Sequence, residues 1–297
     1  MYQDIVSNKR RTWILLILVC IVITLLFLAI GVMTDADPLA SIILGALFAI
    51  VYSLISFYLA DKTILLTQGA KKLSKENAKE IYLLVENLTI ASGMPLPEIY
   101  LIDDPSPNAF ATGRDPEHAK IVFTTGLLQK LNKLELEGVV AHELSHIQNY
   151  DIRLMTLVVV LVGLIALLAD IIFRVGLLSG NRNRKTPPVL ILVAIIIGAL
   201  SPVFAQLIRL AVSRTREYLA DASACLLTRH PDGLAGALEK IRDSQSKMTR
   251  ANHATACLFI TNPFGETRGR TYSFFQKLFA THPPIDERIA RIRAMGQ

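Results

Sequence analysis

Two histidines and a glutamate carry the first chemistry in this sequence. The run His142-Glu143-Leu144-Ser145-His146 follows a capping-box start, in which Asn132 is answered by Glu135 three residues on, so a helix is expected to run through His146. Residues four apart on an α-helix share a face, and both imidazoles can then address a single ion. Glu143 is placed to take a proton from water as it attacks a carbonyl and to return that proton to a leaving amine. A zinc ion in such a site lowers the pKa of its water toward about 7 and polarises the carbonyl. The pattern predicts metal-assisted peptide hydrolysis with Zn2+ as cofactor, held by His142 and His146, and with Glu143 as catalytic base.

Catalytic zinc usually has three protein ligands, so one is missing from this run. His118, His230, His253, His282 and several carboxylates are candidates. Glu217 stands out because Asp221 follows four residues later on the same helical stretch, Arg214 to Asp221. Glu217 is then a possible ligand, and Asp221 an acceptor for the Nδ1–H of a ligating histidine. The competing reading is an ordinary solvated acidic pair beside arginines, and spacing alone does not separate the two. Structural zinc is normally closed by four protein ligands. An incomplete shell with a base beside it favours an enzyme over a zinc-stabilised membrane scaffold or regulatory binder. The three cysteines, Cys20, Cys225 and Cys257, form no CxxC or framework spacing, which argues against a thiolate site or a disulfide scaffold.

The elements that must position these residues are unusually apolar. Of 297 residues, 52% are hydrophobic and 19% charged, against about 45–50% and about 25% in soluble domains. Trp13 to Val32 and Pro38 to Ala60 each approach or exceed the roughly 20 residues that cross a bilayer. Lys9-Arg10-Arg11 precede the first run and no small-residue cleavage site closes it, so it reads as a retained anchor. The link Thr34-Asp35-Ala36-Asp37 is acidic and basic residues follow the second run. Both ends of this hairpin are therefore expected in the cytoplasm, with the catalytic domain, as in a multi-pass inner-membrane protein. The formal charge of +6 is explained by basic residues flanking apolar runs, where they meet lipid headgroups; nucleic acid is not an expected partner.

Between the spans lies polar chain. Ser74 is expected to cap a helix running to about Ala91, and Glu98–Ile102, Ala109–Thr112 and Lys120–Thr124 read as a small sheet. A second hydrophobic hairpin is expected from Leu154–Phe173 and Pro188–Leu210, although its basic loop, Gly180 to Lys185, opposes the positive-inside bias. Helices are expected through Leu227, over Asp232–Ser244 and after Pro284, with an aperiodic stretch at Ser246–Thr271 as a candidate gate. The organisation is thus a transmembrane hairpin (1–60), a first peptidase part (61–153), a second hairpin (154–211) and a second peptidase part (212–297).

Taken in order, Asn108-Ala109-Phe110-Ala111-Thr112-Gly113, His142–His146, Glu217-x-x-x-Asp221 and Thr281-His282-Pro283-Pro284 resemble a family of membrane zinc metallopeptidases, most closely its HtpX branch of bacterial heat-shock proteases. The resemblance covers nearly the whole chain. It implies a mainly helical integral membrane protein with a gluzincin-like domain of helices and a small sheet. It also implies an ATP-independent endopeptidase in membrane-protein quality control, with Glu217 as third zinc ligand. Protein or peptide substrates, membrane proteins among them, would pair with the edge strand at Asn108, Ala109, Phe110 and Ala111. His282 would stabilise the oxyanion, and Arg288 would pair with Asp221. The related prenyl-protein proteases have more spans than the four apolar runs here, so CAAX-type processing is not expected.

Overall fold

The computed structural model describes residues 2–33, 35–159, 214–244, 246–249, 255–264 and 283–296. Two long helices come first, α1 (Tyr2–Met33) and α2 (Pro38–Gln68), both long and apolar enough to cross a membrane. They turn back on each other through Asp37, whose carboxylate caps α2 by accepting the Ala40 N–H at 2.8 Å. Small residues allow the close crossing: a Cβ on Gly45 would lie 2.7 Å from Phe27 Cβ. Their outward faces are rich in exposed Ile, Leu and Val, as lipid contact requires.

A four-stranded mixed sheet follows, in the order β1 (Lys71–Lys72), β2 (Glu98–Ile102), β4 (Lys120–Thr124), β3 (Ala109–Thr112). Strands β2 and β4 pair in parallel, and the two outer pairs are antiparallel. Side chains alternate between two buried faces, as the strand period dictates. Ile99, Ala109, Ala111, Ile121 and Phe123 join one core cluster, while Ile102, Phe110 and Val122 join the other. The second cluster includes Leu15, Leu16 and Val19 of α1 and Ile64 and Leu65 of α2, so the hairpin is seated on one sheet face. A buried ion pair between Lys120 and Asp61 fastens α2 to β4.

The other face carries the helices that hold the site. These are α3 (Lys79–Ser92), the short α4 (Thr125–Lys130), α5 (Lys133–Gln148), α6 (Arg214–Thr228), α7 (Pro231–Asp243) and α8 (Ile285–Ala294). Helix α5 starts at the capping box read from sequence: Asn132 Oδ1 accepts the Glu135 N–H and Glu135 Oε2 accepts the Asn132 N–H. Nearly every residue from Glu135 to Ile147 is buried, and Gly138 lets α7 approach so closely that a Cβ would sit 2.7 Å from the Leu234 nitrogen. Close packing of this kind fixes the rotation of α5, and with it the direction of both histidines.

Ser74 does not cap α3. The helix begins at Lys79 behind Ala78, without a side-chain cap. The cause is upstream: the Leu73 N–H is committed to Ile99 O at the edge of β2, so residues 74–77 must turn the chain before a helix can start. Of the expected second hairpin, residues 154–159 are helical, and its remainder lies outside the described residues. Of the aperiodic stretch read as a gate, residues 246–249 and 255–264 are described and the rest lies outside the described residues.

Candidate metal centre

His142 and His146 project from one face of α5, with Nε2 atoms 3.2 Å apart and rings nearly perpendicular. Glu217 enters from α6, its Oε1 3.6 Å from His146 Nε2 and its Oε2 3.9 Å from His142 Nε2. All three are buried, and their ligand atoms lie within 4.8 Å of one another. The four-residue spacing read on α6 puts Asp221 on the same face as Glu217, with Oδ1 3.0 Å from His142 Nδ1.

His146 is oriented by a residue that sequence reasoning passed over. Asp151 Oδ2 lies 3.0 Å from His146 Nδ1, and Asp151 is only 1% exposed. It reaches back because Tyr150 adopts a left-handed conformation, φ 59°, which reverses the chain just beyond α5. The signal available in the sequence was an acid five residues after the second histidine, at the start of the next helical segment.

The arrangement fits zinc on its own chemistry. His146 Nδ1 hydrogen-bonds Asp151 and His142 Nδ1 lies 3.0 Å from Asp221; with the ring protons on these Nδ1 atoms, both Nε2 atoms would present lone pairs toward the same space. Lone pairs facing each other beside a carboxylate repel unless a cation sits among them. Tetrahedral zinc with Zn–N bonds of about 2.0–2.1 Å holds its nitrogens roughly 3.3 Å apart, close to the separation seen here.

Arg288 of α8 fills the layer behind the site. Its Nε and Nη2 donate to the two oxygens of Asp221 at 2.9 and 2.7 Å, and Nη1 donates to Ile260 O at 2.8 Å. Nη1 also lies 3.6 Å from Glu217 Oε2. Burial opposes charge on Asp221, but Arg288 and His142 more than offset it and hold the carboxyl down at about 2. Burial, reinforced by Arg288, keeps His142 below the usual imidazole range against the pull of Asp221, which favours the neutral ligand form. Burial also works against charge on His146, yet Asp151, Glu217 and Glu143 lift it to about 9. Glu143 is buried next to the first histidine, and desolvation pushes its carboxyl up to about 7.

The sequence-read strand Ala109–Thr112 lies at the sheet edge beside this cluster. The Ala111 backbone N–H, near Glu143, works against the rise in its pKa. Gly113 ends the strand at φ 144°, where a Cβ would meet His118 O at 2.6 Å. The outer side of β3 is not bare. Ile260 N–H donates to Ala109 O at 2.9 Å, Asn108 Nδ2 donates to Thr261 O at 3.2 Å, and Phe259 packs edge-on against Phe110 at 4.9 Å. His282 lies outside the described residues.

Comparison with known proteins agrees with this geometry. The profile of Peptidase family M48 matches residues 75–296. Protease HtpX homolog of Dictyoglomus turgidum is 46% identical over 300 residues, covering 100% of this chain and 95% of the relative. That of Tropheryma whipplei is 41% identical over 303 residues, covering 100% and 99%. In fold, the chain resembles the crystal structure of S. mikatae Ste24p, with a TM-score of 0.53 at 20% identity, over 98% of this chain and 67% of that one. A profile match over most of the chain and end-to-end relatives above 40% identity place it plainly: the chain belongs to peptidase family M48, among the HtpX proteases, as a zinc metallopeptidase with a His142, His146 and Glu217 metal site.

Proposed function

We propose that this protein is a membrane-bound endopeptidase that cuts extended stretches of misfolded or damaged membrane proteins, with Glu143 as general base. The observation that carries the reading is one arrangement: a His-His-Glu metal site, a buried carboxylate with its pKa near 7, and a sheet edge beside both. When bound, zinc polarises the scissile carbonyl and makes water nucleophilic at neutral pH. Glu143 takes the water's proton on its carboxylate and passes it to the departing amine nitrogen; a pKa near neutrality suits both transfers. Asp221 and Asp151 hold the two imidazoles in the tautomer that leaves Nε2 free. Arg288 holds Asp221 in turn.

Substrate binds as an added strand on β3, through backbone hydrogen bonds that tolerate varied side chains. The Asn108 O accepts the Thr124 N–H, so the Ala109 carbonyl points away from the sheet and is the natural acceptor for an incoming strand. Residues 259–261 already make the contacts such a strand would make, with Asn108, Ala109 and Arg288. Substrate therefore enters by displacing them, which only a chain that is itself extended can do. The apolar hairpin α1–α2 keeps the enzyme at the bilayer, and its flanking basic residues favour a catalytic domain on the cytoplasmic side.

The test is reconstitution into liposomes with a membrane protein bearing either an unfolded tail or a stably folded domain on the same side. Cleavage confined to the unfolded tail is expected. Equal cleavage of both tails contradicts substrate binding by strand exchange, and cleavage of neither contradicts the membrane-protein substrate.

A further inference from the structure

The metal centre reaches into the N-terminal apolar helix. Asn8 lies on α1, outside residues 75–296 that match the family profile, and it is only 2% exposed. Its amide nitrogen has two protons and the structure uses both: one goes to Asp151 Oδ1 at 2.7 Å, the other to Asn149 O at 2.9 Å. Asp151 presents its other oxygen to His146 Nδ1 at 3.0 Å. A continuous path of three hydrogen-bonding groups thus leads from α1 to a zinc ligand.

We infer that Asn8 is a positioning residue of the zinc site, acting through Asp151 on His146, so that the membrane anchor is a working part of the metal centre. The physical reason is the cost of leaving a buried carboxylate short of donors. Among the described residues, Asp151 also meets His146 itself and Arg216, whose Nη1 is 3.5 Å from Oδ1. Asn8 supplies the short contact to Oδ1 that keeps Oδ2 aimed at the imidazole. It also pins the Asn149 carbonyl, and so the left-handed turn at Tyr150 that brings Asp151 back to α5. Lys9, next along α1, lies over the Tyr150 ring at 4.2 Å and braces the same turn. An asparagine facing inward on an otherwise membrane-seeking helix is costly unless such partners satisfy it.

The alternative is that Asn8 merely fastens α1 to the rest of the protein. Full-length Asn8→Leu, close to asparagine in size but without donors, separates the two. A second variant, Asn8→Ala, covers the case in which leucine does not fit. Two readouts follow the metal itself: zinc affinity by competition with a chromogenic chelator, and the visible absorption of the cobalt-substituted protein. Partners of metal ligands typically contribute about 10–100-fold in affinity, and we expect the lower end, near tenfold weaker zinc binding, with a changed cobalt spectrum. Thr12→Val is the control, since Thr12 donates to Asn8 O on the same buried face without touching Asp151. It is expected to leave affinity and spectrum as in the wild type. Asn8 variants that lose thermal stability but keep wild-type zinc affinity and cobalt spectrum overturn the inference. The inference rests on the metal-site reading, and a wild-type chain that takes up no zinc overturns both; a wild type that binds zinc beside Asn8 variants that bind it equally well overturns this one alone.

Discussion

Arg288→Ala is expected to cost about 3–5 kcal/mol of stability, the usual consequence of removing one partner of a buried ion pair. Arg288 is 1% exposed; its guanidinium gives two hydrogen bonds to Asp221 and one to the Ile260 carbonyl, and its Nη2 lies 3.5 Å from His142 Nε2. Its Nη1 also lies 3.6 Å from Glu217 Oε2. Without it, Asp221 and Glu217 remain buried beside the metal site with less positive charge to offset them in the zinc-free protein. At roughly 2–4 °C per kcal/mol, the thermal midpoint of chelated protein should fall by on the order of 10 °C. Arg288→Lys keeps the charge but loses the planar fork, so an intermediate loss is expected. Added zinc should recover part of the deficit, because the cation restores positive charge at Glu217. A midpoint within about 2 °C of wild type would contradict the placement of Arg288 at the centre of this network.

Glu143→Gln should abolish cleavage while leaving zinc in place. General acid–base catalysis contributes typically about 10²–10⁴-fold, and Glu143 is asked to supply both transfers, so a loss of about 10³-fold or more is expected in kcat. The variant should bind zinc as the wild type does, because the metal ligands are elsewhere. Its stability separates this account from a folding defect. The Glu143 carboxyl is raised by burial from 4.5 to about 7 in the folded chain. A raised carboxyl pKa means that folding favours the protonated form. In the zinc-free wild type that contribution is therefore full below about pH 4.5 and lost as pH rises through 7. Glutamine has no such charge to bury, and the variant should be at least as stable as wild type at pH 8. Undiminished cleavage in this variant would remove Glu143 from the mechanism.

Much of the local structure was written in local signals. Three strands were legible to the residue, because alternation sorts Ile99, Ile121 and Phe123 from Tyr100 and Val122 before any tertiary contact forms. The start of α5 was legible because Asn132 and Glu135 satisfy each other's backbone. Helical spacing likewise brought Glu217 and Asp221 onto one face. Strand β1 was missed since two residues carry no period, and its pairing with β2 then displaced the expected cap at Ser74. Asp151 and Asn8 were missed for a different reason. Their roles arise only when a turn at positive φ folds one onto α5 and the apolar hairpin delivers the other, and neither event has a sequence period. The cover over β3 by residues 259–261 is equally non-local, joining segments about 150 residues apart.

Hydrolysis is expected to depend on one zinc ion held by His142, His146 and Glu217. The most direct test is to strip the purified protein with chelator, titrate zinc back, and follow bound metal and cleavage of an unfolded protein together. Activity should rise linearly with zinc and stop at one ion per chain, and Glu217→Ala should neither hold the ion nor cleave. Full cleavage by metal-free protein, or by Glu217→Ala, would contradict it.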